Sequence, residues 1–187
     1  MKPYPPKICT PSSTTYASTS LPCTLAIEAR VKAGQAPEFA GEDIPEELRG
    51  AVNALERAKD ATIYAAMRIA MKYMQALEQE QEFIEYLSNL LIDIYAIDSA
   101  LARATQAVRR GDDNSTIHVK LAKLATWLAY SRMRLNLDQM LMTNMNEDQV
   151  EKELSRVRAY LGDYLLNGVG LQRELAEVVV EKHGYPL

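Results

Sequence analysis

From Pro45 onward, apolar residues recur at the spacing of a helix face. Ile63, Met67, Ala70, Met74 and Leu77 follow alternating steps of four and three. Pro45, Glu46 and Glu47 mark where that helix starts, because proline fits a first turn and acids favour the positive end of the helix dipole. A second run is cleaner: Phe83, Leu87, Leu90, Ile94, Ile97, Leu101, Ala104 and Val108 keep one continuous seam. Ile84, Leu91 and Tyr95 widen it, which predicts cover on more than one side. The run closes on Arg109-Arg110-Gly111, cations and then a glycine, as helix C-termini favour. Between the two seams lies Glu78-Gln79-Glu80-Gln81-Glu82, and continuing the first seam past Leu77 puts Gln81 in a core slot. The runs are out of phase, so a tight turn between antiparallel helices is expected there.

A third helix is expected after the turn-and-cap cluster Asp112-Asp113-Asn114-Ser115, with Ile117, Leu121, Leu124, Leu128, Leu135 and Met142 in register. Ser131 and Asp138 fall in the same seam, so the buried face is expected to change along this helix. Asn146 reads as the cap of a fourth helix, striped by Val150, Leu154, Val157 and Leu161. Asn167-Gly168-Val169-Gly170 breaks the pattern, and a short last helix over about residues 171–181 follows. Strand-like alternation never persists, and no run of apolar residues reaches the length of a membrane span. The fold class is therefore all-α: an antiparallel bundle of four main helices plus a short C-terminal helix.

The first 44 residues differ from the rest. They hold a Ser/Thr run around Pro11 and little apolar periodicity, and Lys2 and Lys7 precede the first acid. Such a segment cannot bury enough surface to offset its ordering entropy, so residues 1–44 are expected to be disordered or loosely packed, with 45–187 forming the bundle. A secretory leader needs an apolar stretch absent here, and a transit peptide would carry arginine before Arg30; a cytoplasmic location is expected. Net charge is −4 and no basic stripe is visible, which argues against nucleic-acid binding. Cys9 and Cys23, the only cysteines, lie in the opening segment with no base nearby to activate them.

Candidate chemistry is sparse. A di-metal carboxylate bundle needs Glu-x-x-His on two helices, but His118 follows Ser115 and His183 follows Val180 at that spacing. Both histidines read as solvated surface residues. Asp93 and Asp98 flank the second seam, where they would be partly buried and paired with Arg68, Arg132 or Arg134, a structural role rather than acid–base catalysis. The methionines fall mostly at core spacing and read as packing. Gly168-Val169-Gly170 lacks the strand and third glycine of a phosphate loop. No catalytic, cofactor-binding or metal-ligating residue is assigned.

One stretch is distinctive: Glu80-Gln81, Phe83-Ile84, Leu87, then Leu91-Ile92-Asp93-Ile94-Tyr95-Ala96-Ile97 and Ala100-Leu101-Ala102-Arg103-Ala104. It resembles the helical C-terminal extension of very-long-chain type acyl-CoA dehydrogenases, and the resemblance runs from Pro45 to the closing His183-Gly184-Tyr185-Pro186-Leu187. In that family a preceding core carries the FAD site, the acyl-CoA contacts and the catalytic glutamate, while the extension packs on the core and supports a homodimer. The resemblance thus implies no cofactor in this chain, FAD in a core it lacks, and self-association. Family members also reach membranes through a basic segment near the junction. The matching region, roughly residues 25–50, is acidic apart from Arg30, Lys32 and Arg49, so membrane association is not expected. Three roles follow: a non-catalytic domain supporting packing or dimerisation, a subunit of a split FAD-dependent dehydrogenase whose core is another chain, or an unrelated interaction module.

Overall fold

The computed structural model describes residues 44–184, which are helical apart from turns and one extended connection. The expected disorder of residues 1–44, with Cys9 and Cys23, falls outside the described residues except for Ile44, which is half-buried against the core. Tyr185, Pro186 and Leu187 also lie outside them. Five α-helices follow one another: α1 (Glu46–Tyr73), α2 (Gln81–Arg110), α3 (Ser115–Asn144), α4 (Glu147–Leu161) and α5 (Gly168–Glu181). The order and the all-α class agree with the sequence pattern. α1 packs against α2, α3 and α4, α2 and α3 form a long hairpin, and α5 lies on α3.

The reversal between α1 and α2 is made by a 3-10 turn, Met74–Gln79, entered through Met74 at φ +50°. It starts earlier than Glu78–Glu82, because Gln81 and Glu82 already belong to α2. The main α2 seam is as expected, but Ile84, Leu91 and Tyr95, expected to widen it under cover, are exposed. Phe83, Leu90, Ile97, Leu101 and Ala104 are buried, with Leu87, Ile94 and Val108 half-buried. Gly111 ends α2 in the left-handed conformation (φ +67°, ψ +34°), its N–H donating to Val108 O and that of Asp112 to Ala107 O, a closure that glycine makes without strain.

Two seams are corrected. On α1, Ile63 and Met74 are exposed, and the buried face is instead Ala51, Ala54, Leu55, Ala58, Ala61, Tyr64, Ala65 and Ile69. Small side chains build it, since a helix enclosed by three others must let their backbones approach. On α3, Leu128, Leu135 and Met142 point outward, and the core takes Val119, Ala122, Thr126, Ala129, Met133, Leu137 and Met140. Apolar residues are distributed around this helix among its charges, so its largest leucines did not reveal which side faces inward. The methionines divide likewise: Met133, Met140 and Met145 are buried, whereas Met71, Met74 and Met142 are exposed.

Both expected asparagine caps sit at the right positions without capping through their side chains. Asn114 Oδ1 instead accepts from Lys182 Nζ at 3.0 Å, tying the end of α5 to the start of α3. Asn167, taken as a break, is the working cap: its Oδ1 accepts from Gly170 N at 3.0 Å, so α5 begins at Gly168 rather than near residue 171.

Candidate docking surface

Two carboxylates are buried inside the bundle, and each is met by arginine. Asp93 on α2 accepts from Arg132 on α3, through Nη2 at 2.5 Å and Nε at 3.2 Å. Glu153 on α4 is 2% exposed and accepts from Tyr64 Oη at 2.8 Å, Arg68 Nη2 at 3.0 Å and Arg156 Nη1 at 3.2 Å. Of the expected partners, Arg132 reaches Asp93 as anticipated, while Arg68 serves Glu153 and Arg134 donates to Asp163 Oδ1 at 2.6 Å. Asp98 is exposed rather than partly buried, with Lys59 Nζ 3.9 Å away. Sequence reasoning missed Glu153; the available signal was an acid beside the Val150–Leu154 stripe with Arg156 three residues on.

A polar clamp holds the chain where α4 ends. Gly162 turns it at φ +62°, Arg134 Nη2 donates to Gly162 O at 2.7 Å, and Arg57 Nη2 donates to Asp163 O at 2.8 Å. Tyr130 Oη donates to Leu161 O from within the core. Tyr64 rests edge-on against Tyr160, ring centroids 4.7 Å apart. Burial, reinforced by its bond to Glu153, pushes the Tyr64 phenol up to about 12; burial alone does the same to Tyr164, and raises Tyr130. The unfolded chain releases these protons first, so the stability they contribute is full below the ordinary value of 10.0 and is lost as pH rises toward about 12. An absorbance titration should show late-ionising tyrosines, with urea stability falling across the same window. Uniform ionisation of every tyrosine near 10.0 would contradict it.

Among the described residues, no group of three His, Cys, Asp or Glu side chains is arranged to hold a metal ion. His183 is exposed, as expected, whereas His118 is half-buried rather than solvated. The surface carries apolar patches instead. The outward side of α3 presents Leu128, Leu135 (59% exposed) and Met142. Beside its N-terminal half lies α5, seated through Leu175 and through Gly168, where an added Cβ would stand 2.4 Å from the Trp127 ring. The opposite side of α5 shows Val169 and Val180, and Leu165 in the connection before it is 91% exposed.

Residues 57–159 match the family model for the acyl-CoA dehydrogenase C-terminal domain. The chain belongs to the acyl-CoA dehydrogenase family. A probable acyl-CoA dehydrogenase of Bacillus subtilis (strain 168) is 24% identical over 150 residues, which are 80% of this chain and 25% of that protein. The crystal structure of an acyl-CoA dehydrogenase complexed with FAD from Bacillus anthracis superposes with a TM-score of 0.77 at 23% identity, covering 90% of this chain and 28% of that one. The second likeness shows the fold. The chain thus spans about a quarter of the length of these relatives. Family membership removes the unrelated-module reading. The five helices are a helical C-terminal domain of the acyl-CoA dehydrogenase family, and none of the described helices is long and apolar enough to cross a membrane.

Proposed function

We propose that this domain is a non-catalytic helical module of the very-long-chain acyl-CoA dehydrogenase type, working in the cytoplasm, that packs on a flavin-binding core and supports a homodimer. The observation that carries this reading is the match to the family's C-terminal domain by a chain spanning about a quarter of its relatives. The flavin chemistry would then reside in the remaining three quarters, whether joined to these residues or made as a separate chain. The side-chain arrangement supports a structural role. Asp93 and Glu153 are each held by arginines in the packed interior, where they join neighbouring helices. The outward leucines of α3 and the exposed Leu165 supply an apolar surface for the core.

Co-expression with a family core lacking its own C-terminal domain tests this. The core should co-purify with the chain and carry the flavin absorbance, while the chain alone shows none. Replacing Leu135 and Leu165 by aspartate should abolish co-purification without unfolding the bundle. Flavin absorbance retained by the chain alone would overturn the non-catalytic assignment.

A further inference from the structure

A second exposed apolar strip lies on α2. Ile84, Leu91 and Tyr95 are exposed on α2, Tyr95 by 75%, and Ile92 stands beside them. Ala102 continues the line, so the stripe runs about 27 Å along the helix at 1.5 Å per residue. The Lys59–Asp98 approach sets the α1–α2 register and brings exposed Ile63 level with this stripe.

Charge along α2 says what covers it. No lysine or arginine occurs between Lys72 and Arg103, whereas Glu78, Glu80, Glu82 and Glu85 crowd the N-terminal end. No acid occurs between Asp98 and Asp112, whereas Arg103, Arg109 and Arg110 occupy the C-terminal end. The exposed side of the helix is acidic toward one end and basic toward the other, with the apolar strip between and Asp98 beside it. Such a strip is complementary to itself when turned end for end, and repels itself in the parallel arrangement.

We propose that two copies of this chain pair through α2, antiparallel about a two-fold axis near Ile94. About that axis Glu85 of one copy faces Arg103 of the other, the turn that carries Glu78 comes to the end of α2 that carries Arg110, and the Leu91–Tyr95 segments meet at the centre. The four outer charges are exposed in the single chain and accessible to a second copy. The proposal rests on the self-association in the functional reading above and assigns it a surface. One helix pair with a flanking Ile63 makes an interface at the small end of the stable range, so a micromolar dissociation constant is expected.

Sedimentation equilibrium of the full chain should give a dimer. Arg103→Glu with Arg110→Glu should weaken it at least about tenfold, and Glu78→Lys with Glu85→Lys should do the same. An equimolar mixture of the two charge-reversed proteins should regain the wild-type affinity as a heterodimer, which no misfolded variant could do. In a Cys9→Ser, Cys23→Ser background, a Leu91→Cys chain should cross-link to a Tyr95→Cys chain. A monomeric wild-type chain would overturn both the self-association and its surface. A dimer indifferent to both charge reversals would overturn the α2 surface and leave self-association standing. If the flavin core protects Tyr95→Cys from thiol labelling while the chain alone stays monomeric, the core occupies this face and the proposal fails.

Discussion

Gly168→Ala is expected to unseat α5 from the bundle. The added methyl would lie 2.4 Å from Trp127 Cδ2 and Cε3 and 2.7 Å from Cε2, inside any permissible contact. The ring cannot yield freely, because it lies between α3 and the start of α5. Overpacking of this kind costs about 1–3 kcal/mol. α5 is the helix least able to absorb that cost, since it packs on α3 and buries only Gly168 and Leu175. A local detachment should therefore precede global unfolding. Trp127 is the only tryptophan, so its emission reports the event directly and should move to the red. Protease should cut within residues 162–167, and Tm should fall by about 5 °C. Trp127→Leu in the same chain should restore much of the protection by vacating the space. Unchanged emission and protease resistance in Gly168→Ala would refute the close-approach argument.

Glu153→Ala is expected to cost about 3 kcal/mol in urea unfolding, the low end for breaking a buried ion pair because Arg68 and Arg156 both reach solvent. Removing the carboxylate leaves the Tyr64 hydroxyl and two guanidinium groups around a dry void. Glu153→Gln keeps the shape and one acceptor and should cost less. Combining Glu153→Leu with Tyr64→Phe and Arg68→Met removes the stranded partners as well, and should recover much of the loss. A triple variant no more stable than Glu153→Ala would show that the cluster acts through packing alone. The phenol offers a second reading: without the carboxylate, Tyr64 loses one of the causes holding its proton and should ionise earlier.

The helices themselves were legible because each carries an apolar repeat bounded by a recognisable start or stop, such as Pro45 or Gly111. The principal α2 seam from Phe83 to Val108 was legible because its 4-3 repeat is unbroken, whereas Ile84, Leu91 and Tyr95, read as widening it, stand in solvent. The α1 face was not, because alanines such as Ala54, Ala58 and Ala61 carry no weight in a pattern of bulk, although they are what permits close packing. The outward leucines of α3 misled for the opposite reason. They obey the helical period but lie on the side away from α1, and a repeat says nothing of what it faces. Gly168 looked like an interruption because the obstacle it avoids, Trp127, is far away in sequence. The Asp93–Arg132 pair was foreseeable from two charges flanking apolar seams. Glu153 was missed because two of its three partners come from α1 more than eighty residues earlier, and Arg156 three residues on was the one local signal. The family resemblance was carried by the Ile92-Asp93-Ile94-Tyr95 segment, where an internal ion pair and an outward aromatic occur together.

The alanine face of α1 has a mechanical consequence. A row of small side chains is a smooth track, and a slide of one turn, about 5.4 Å, replaces one alanine by another at little loss of contact. Over the alanine stretch, shape therefore indexes α1 only through its few large buried side chains, Leu48, Leu55, Tyr64 and Ile69. The same slide would carry Tyr64 and Arg68 out of reach of Glu153, and Arg57 out of reach of Asp163. These polar contacts act as detents on the track: they add little to the depth of the well and decide where along α1 it lies.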